Sequence, residues 1–213
     1  MRFASRQDAG RRLGEFLRQR GVAADLVLGL PRGGVVVAAE VAQALAIPLD
    51  ILLVRKIGHP CQRELAVGAL AEPDVYLLDE TALSEAPVSR LQVDRVIEEE
   101  TARLREYRSR FRPAGGLSLK NKSVLLVDDG LATGATAAAA VLSARQQGAG
   151  RIIVAAPVAS TSAFEKLRRA ADEVLSLHVD SGFGAVGQYY DDFAQTTEDE
   201  VVALLSRAAL PRE

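Results

Sequence analysis

The chain has 213 residues, 48% of them hydrophobic and 25% charged, and a formal net charge of −2. That length lets one α/β domain bury a full core, and the charge offers no overall attraction to a polyanion, so large nucleic-acid surfaces are disfavoured. Cys61 stands alone, which excludes an internal disulfide; His59 and His178 are too few for a Cys/His metal site. No stretch approaches the ~20 consecutive apolar residues of a membrane span, and the polar start Met1 to Asp8 lacks the apolar segment of a signal peptide, so a soluble cytoplasmic protein is expected.

Ser5 and Asp8 can cap a first helix whose apolar positions Leu13, Phe16 and Leu17 keep helical spacing until Gly21. Leu26 to Leu30 is a short apolar run closed by Pro31-Arg32-Gly33-Gly34, and Val35 to Leu45 reads as a helix, so the unit is strand, glycine turn, helix. Leu49 to Val54 repeats the strand signature and stops at Arg55-Lys56; it is apolar nearly throughout, as expected when both faces of a parallel sheet are covered. Residues 57–74 carry Gly58, Pro60, Gly68 and Pro73 without a sustained period, which predicts a mobile lid with a short strand around Leu65 to Leu70. Val75 to Leu78 is a further strand candidate.

From Val88 to Phe111 the apolar set Val93, Val96, Ile97, Leu104, Tyr107 and Phe111 keeps helical spacing. Seven arginines fall between Arg90 and Arg112, and the i,i+4 pairs Glu99/Arg103 and Glu106/Arg110 favour a solvated, salt-laced face over a nucleic-acid patch. After the break at Pro113-Ala114-Gly115-Gly116 the alternation resumes. Strands are predicted at Ser123 to Val127, Arg151 to Ala156 and Val174 to His178. Helices are predicted from Ala135 or Thr136 to Gln147, from Ser162 to Ala171 and from Glu198 to Arg207. Such alternation implies an α/β fold with a parallel sheet, helices on both faces and all strand C-terminal ends along one edge, where a ligand should sit. A single domain over residues 1–213 is expected, with the glycine- and aromatic-rich stretch 180–194 outside the pattern.

The segment Val124 to Thr136 carries the chemistry. An apolar strand delivers two adjacent carboxylates, Asp128 and Asp129, to its open end, and Gly130-Leu131-Ala132-Thr133-Gly134-Ala135-Thr136 then turns into a helix. Backbone N–H groups at such a turn, backed by the positive end of the helix and joined by the Thr133 and Thr136 hydroxyls, form a phosphate cradle. Carboxylates repel phosphate and must face hydrogen-bond donors, and vicinal sugar hydroxyls supply them. A phosphorylated ribose satisfies both halves. A Walker-type loop is excluded because Ala135, not lysine, precedes Thr136.

Val127 to Thr136 resembles the phosphoribosyl pyrophosphate signature of type I phosphoribosyltransferases, two hydrophobics, an acidic pair and a loop ending Ala-Thr-Gly-x-Thr. Leu30 to Gly34, Leu53 to Gly58 and Ala185 to Phe193 are similar to a bacterial group within that family. The resemblance implies the type I fold with a small hood at 180–194 and a flexible lid at 57–74. It implies that Asp128 and Asp129 hold the ribose hydroxyls, and that the segment from Gly130 to Thr136 holds the 5′-phosphate. Arg32, Gly33 and Gly34 would meet pyrophosphate by backbone N–H groups, with a non-proline cis peptide near Pro31-Arg32 or Arg32-Gly33. Arg55 and Lys56 would neutralise the leaving group, with magnesium carried by the substrate. Phe183, Tyr189 and Tyr190 would stack on the acceptor.

The family also implies a homodimer and transfer of phosphoribose to a nucleobase-like nitrogen. Enzymes for 6-oxopurines commonly carry an acid where Ala132 stands, so an adenine-like or pyrimidine-like acceptor is more compatible. Two rivals remain: a sensor of phosphoribosyl pyrophosphate with an exposed, contiguous arginine face on helix 88–111, and a hydrolase or non-base transferase.

Overall fold

A computed structural model describes residues 1–86, 88–111 and 118–208. The break expected at residues 113–116 and the last of the seven arginines, Arg112, lie outside the described residues. The chain runs α1 (Arg6–Gln19), β1 (Leu26–Gly29), α2 (Gly33–Leu45), β2 (Leu49–Ile51), β3 (Val54–His59), β4 (Gln62–Ala71), β5 (Val75–Leu78), α3 (Glu80–Glu85), α4 (Arg90–Phe111), β6 (Ser123–Val127), α5 (Ala135–Gln146), β7 (Arg151–Ser160), α6 (Thr161–Arg168), β8 (Glu173–Asp180) and α7 (Glu198–Ala208). Ser5 caps α1 by accepting from the Asp8 N–H, and Ser160 caps α6 by accepting from the Ala163 N–H.

Five strands form a parallel sheet in the order β2-β1-β6-β7-β8. Side chains alternate across a strand, and here both alternating sets are buried. Leu26, Leu28, Val124, Leu126, Ile152 and Val154 pack with the alanines of α5, whereas Val27, Leu125, Val127, Ile153 and Ala155 pack with α1 and α2. Two-sided burial is why these strands read as unbroken apolar runs. The order places the C-terminal ends of β1 and β6, and the loops that follow them, side by side.

Two expectations are corrected. The apolar run Leu49 to Val54 is one segment by sequence but two strands in space: β2 stays in the parallel sheet, and β3 leaves it and continues through Arg55-Lys56 to His59. At the split the Leu52 N–H donates to the Gly29 carbonyl and the Leu53 N–H to the carboxylate of Glu72, nineteen positions on. The stretch expected to be a loop-like lid instead builds most of a second, antiparallel sheet, β3-β4-β5. Its period is hidden because this sheet too is covered on both sides: Ile57, Val67 and Leu70 face α4, and Val54, Ala69, Ala71 and Val75 face α5. Gly68, which punctuates like a loop residue, is a strand residue whose Cβ would lie 2.4 Å from the Leu77 carbonyl oxygen.

On α4 Arg90 pairs with Asp94 at i,i+4, 2.8 Å, but Arg103 and Arg110, expected to pair with Glu99 and Glu106, take other partners. Glu99 meets Arg63 at the start of β4 at 2.8 Å, Arg105 meets Asp74 at 3.3 Å, and Arg110 meets Glu198 and Asp199 at the start of α7. Glu100, almost fully buried, accepts from Arg55 at 2.5 Å and Arg103 at 2.6 Å. This face therefore stitches α4 to the second sheet and to α7. Among the described residues, no helix is long and apolar enough to cross a membrane.

Candidate functional site

Strand β6 ends at Val127, and the two acids follow it immediately. Asp128 turns back on the chain, accepting from the Asp129 N–H at 2.9 Å. Asp129 receives the Arg6 guanidinium, Nε to Oδ2 2.7 Å, with only 11% and 14% of the two side chains exposed. Burial pushes the Asp128 carboxyl up to about 8, the neighbouring Asp129 charge adds to the rise, and Lys56 and Arg6 offset only part of it. Burial also raises Asp129, against the hydrogen bond and charge of Arg6. The pair is thus short of donors, and a ligand carrying hydroxyl or cationic groups would relieve it.

Past the acids, the Leu131 N–H donates to the Val158 carbonyl and pins the loop to β7. The turn into α5 passes through Gly134 in the left-handed region (φ 70°), with no side-chain cap on the helix. None of the described residues' backbone carbonyls accepts from the N–H groups of Ala132, Thr133 or Gly134, so these donors and the helix's positive end remain available to an anion. Facing this loop is the segment after β1, where the peptide bond between Pro31 and Arg32 is cis, one of the two positions expected.

All of these parts line one cavity of about 600 Å³: Arg32 and Gly33, Lys56, the acid pair and the loop from Gly130 to Gly134 with Thr136. Leu65 and Ala66 of β4 form another wall, so the second sheet overhangs the first sheet's edge. Ala135 and Gly34 sit directly behind the lining, Gly34 buried and Ala135 half-buried.

Four residues expected at the site are placed elsewhere: Arg55, Phe183, Tyr189 and Tyr190. Arg55 and Lys56 are neighbours on β3 and project to opposite sides. Lys56 reaches the cavity, whereas Arg55 turns to α4, bonded to Glu100 with its guanidinium 5.0 Å from the Tyr107 ring centre. Burial works against the Arg55 charge and Glu100 more than restores it, leaving its pKa above the ordinary value. Tyr189 and Tyr190 are core residues, 4% and 3% exposed, packed with Phe3 and Val158, with Phe183 half-buried against them. Tyr190 donates from its hydroxyl to the Asp129 carbonyl at 2.6 Å, which makes it a support for the acid pair. Of the 180–194 stretch, Val186 and Phe193 line the cavity instead. Their sequence signal was weak, since rings in such a stretch have no period to separate buried from lining positions.

Arg6 is the residue that sequence reasoning passed over, being a charged residue in the first turn of an amphipathic helix. Besides Asp129 it bonds the Ala194 carbonyl at 2.7 Å and lies 3.9 Å over the Phe193 ring, tying α1, the acid pair and the hood together. Arg6→Ala is expected to cost about 2–3 kcal/mol of stability at neutral pH, because it strands a buried carboxylate. The difference should shrink as pH falls and Asp129 takes up a proton; urea unfolding at two pH values measures it, and a neutral-pH midpoint equal to the parent's would refute the pairing.

Comparison with known proteins agrees with this architecture. The Phosphoribosyl transferase domain family matches residues 5–194. Rv0571c of Mycobacterium tuberculosis, provisionally named a phosphoribosyl transferase, is 44% identical over 207 residues, covering 97% of this chain and 47% of that protein. The chain thus spans about half the length of the curated relatives it matches. Among solved structures, TT1426 from Thermus thermophilus aligns over 98% of this chain and 100% of its own with a TM-score of 0.80 and 44% identity. The AQ2163 protein from Aquifex aeolicus, at 11% identity and TM-score 0.51 over 82% of this chain and 74% of its own, shares the fold. With its five-stranded parallel sheet, its acid pair at the end of β6 and a family match over nearly its whole length, this chain belongs to the phosphoribosyl transferase domain family and has the type I fold.

Proposed function

We propose that the chain binds phosphoribosyl pyrophosphate with magnesium and transfers its phosphoribose to a nucleobase-like nitrogen, releasing pyrophosphate. The observation that carries this reading is the charge division of a single cavity, with free amide donors on one side, twin acids beside them and Arg32 and Lys56 opposite. The 5′-phosphate suits the 132–136 amides and threonine hydroxyls, and the ribose hydroxyls suit Asp128 and Asp129. The C1–oxygen bond to pyrophosphate breaks, a C1–nitrogen bond forms, and the acceptor nitrogen gives its proton to solvent or to the departing pyrophosphate.

As that bond opens, the sugar becomes positive beside two acids and the leaving group more negative beside Lys56 and Arg32. In this reading magnesium is carried into the cavity by the substrate. Bound there, magnesium would lower the leaving group's charge. Leu65 and Ala66 of the overhanging sheet exclude water from the reacting carbon in this reading. The acceptor belongs at the apolar end, between Val186 and the Phe193 ring.

The sensor reading asked for an exposed, contiguous arginine face on α4. Ion pairs of Arg103 with Glu100, of Arg105 with Asp74 and of Arg110 with Glu198 and Asp199 engage three arginines of that face, which favours catalysis. The deciding experiment incubates the chain with magnesium, phosphoribosyl pyrophosphate and a panel of purine and pyrimidine bases and follows pyrophosphate. Release that depends on one base is the expected result; tight donor binding without release under any base would assign a sensor instead.

A further inference from the structure

A closed ring of contacts runs from Asp129 through Arg6, Phe193 and Tyr190 and back to Asp129. The Arg6 guanidinium carbon lies 3.9 Å from the centre of the Phe193 ring, and the Phe193 and Tyr190 ring centres are 5.1 Å apart with their planes inclined by 31°. Both neighbours of Phe193 end on the same acid: Arg6 Nε meets the Asp129 carboxylate at 2.7 Å, and the Tyr190 hydroxyl donates to the Asp129 carbonyl at 2.6 Å. The backbone closes the ring further, since the Asp191 N–H donates to the Phe3 carbonyl and the Asp192 N–H to that of Ala4, just ahead of Arg6.

Two members of this ring face the reaction cavity and are far apart in the chain. Phe193 lines the cavity and is 37% exposed, and Asp129 lines it beside the phosphate-cradling loop. Arg6 stands behind them, almost fully buried. One cation thus holds an acid of the cavity at one end and an aromatic wall of the same cavity at the other.

The residue type matters. A guanidinium is a rigid planar fork, so in one conformation its Nε serves Asp129, a terminal nitrogen serves the Ala194 carbonyl at 2.7 Å, and its face serves Phe193. An ammonium would keep the positive charge beside Asp129 but has neither a face nor a fork of fixed geometry. Because the three contacts share one rigid group, a change in the bond to Asp129 reorients the group that carries the ring.

Resting on the transferase reading, in which ribose meets Asp129 and the acceptor meets Phe193, we infer that Arg6 is a positioning residue that couples the two substrates. A ribose hydroxyl donating to Asp129 competes for the oxygens that Arg6 uses, and the readjusted guanidinium sets the place of the Phe193 ring. The donor therefore prepares the acceptor's wall, and by the reciprocity of linked binding an acceptor seated on that wall tightens the donor.

The chain contains no tryptophan, so Phe193→Trp puts a single fluorophore in the ring's place while keeping an aromatic face for Arg6. Phosphoribosyl pyrophosphate with magnesium is titrated into Phe193→Trp and into Arg6→Lys/Phe193→Trp, with calorimetry reading affinity and fluorescence reading the ring. Lysine keeps a cation beside the buried acid, so the double variant should fold. Donor affinity is expected to agree within about threefold between the two proteins, while the emission change at saturating donor falls at least about fivefold when Arg6 is replaced.

The same emission response in both proteins, whether a change or none, overturns the coupling and leaves the transferase reading standing. So does a donor affinity that falls at least about tenfold in the lysine variant, because Arg6 would then be a plain support of the donor's site. A chain that takes up no donor in calorimetry defeats the transferase reading itself, and the coupling with it.

Discussion

Replacing Asp128 and Asp129 together by asparagine is expected to lower pyrophosphate release by about a thousandfold or more, since each position loses a carboxyl acceptor for a ribose hydroxyl and the developing sugar cation loses the negative charge that the pair carries once the ligand's donors have drawn its pKa down. The fold should survive, and here the two properties move in opposite directions. In the unfolded chain Asp128 ionises near pH 4, whereas in the folded chain burial and the Asp129 charge hold its proton until about pH 8. Between those values the native state binds more protons than the unfolded one, so this group makes the protein less stable as pH rises through the window.

An asparagine in place of Asp128 has no charge to bury. The single variant Asp128→Asn should match the parent near pH 4 and exceed it by roughly 1–2 kcal/mol near pH 8, less than full linkage because water reaches the half-buried carboxyl. Thermal unfolding across pH, beside turnover, checks both halves. A variant that keeps activity within tenfold, or a parent whose stability rises from pH 5 to 8 relative to the variant, would remove the argument.

Gly33→Ala should raise the Michaelis constant for phosphoribosyl pyrophosphate by about ten- to a hundredfold and cost about 1–3 kcal/mol of stability. A Cβ at position 33 would lie 2.1 Å from Asp129 Oδ2 and 2.5 Å from Arg6 Nε, closer than any real contact, so the ion pair must open. The resemblance gave this glycine to pyrophosphate, by close backbone approach. The structure adds that the same bare Cα admits the acid pair from the other side, so one methyl group should damage both ends of the site. Unchanged stability and unchanged affinity together would mean that Asp129 and Arg6 do not pack on this backbone.

Much of the fold was readable along the chain because the repeating strand and helix unit leaves local marks. The inner strands β1, β6 and β7 are apolar runs buried on two sides, and the Ser5 cap and the turn after Val127 lie next to the elements they bound. The segment from residue 49 to 78 was the least readable. Its split at Leu52-Leu53 depends on Glu72 reaching the Leu53 N–H, and its strands face cores supplied by α4 and α5, none of which a local window contains. Lid-like composition and strand structure coexist there because close backbone approach, as at Gly68, uses the same residue as a turn.

By itself the sequence determined the order of elements, the acid pair and the phosphate-cradling turn, since these are contiguous and their chemistry depends on neighbours one to eight positions apart. Only the tertiary structure decided which cations and rings meet them. Arg6 arrives from 123 positions away, Arg55 is diverted to Glu100 while Lys56 is kept, and Phe193 takes the wall that Tyr189 and Tyr190 leave for the core. A side chain's type shows what it can do, but its partner is set by the packing of elements distant in the chain, and burial then decides its charge.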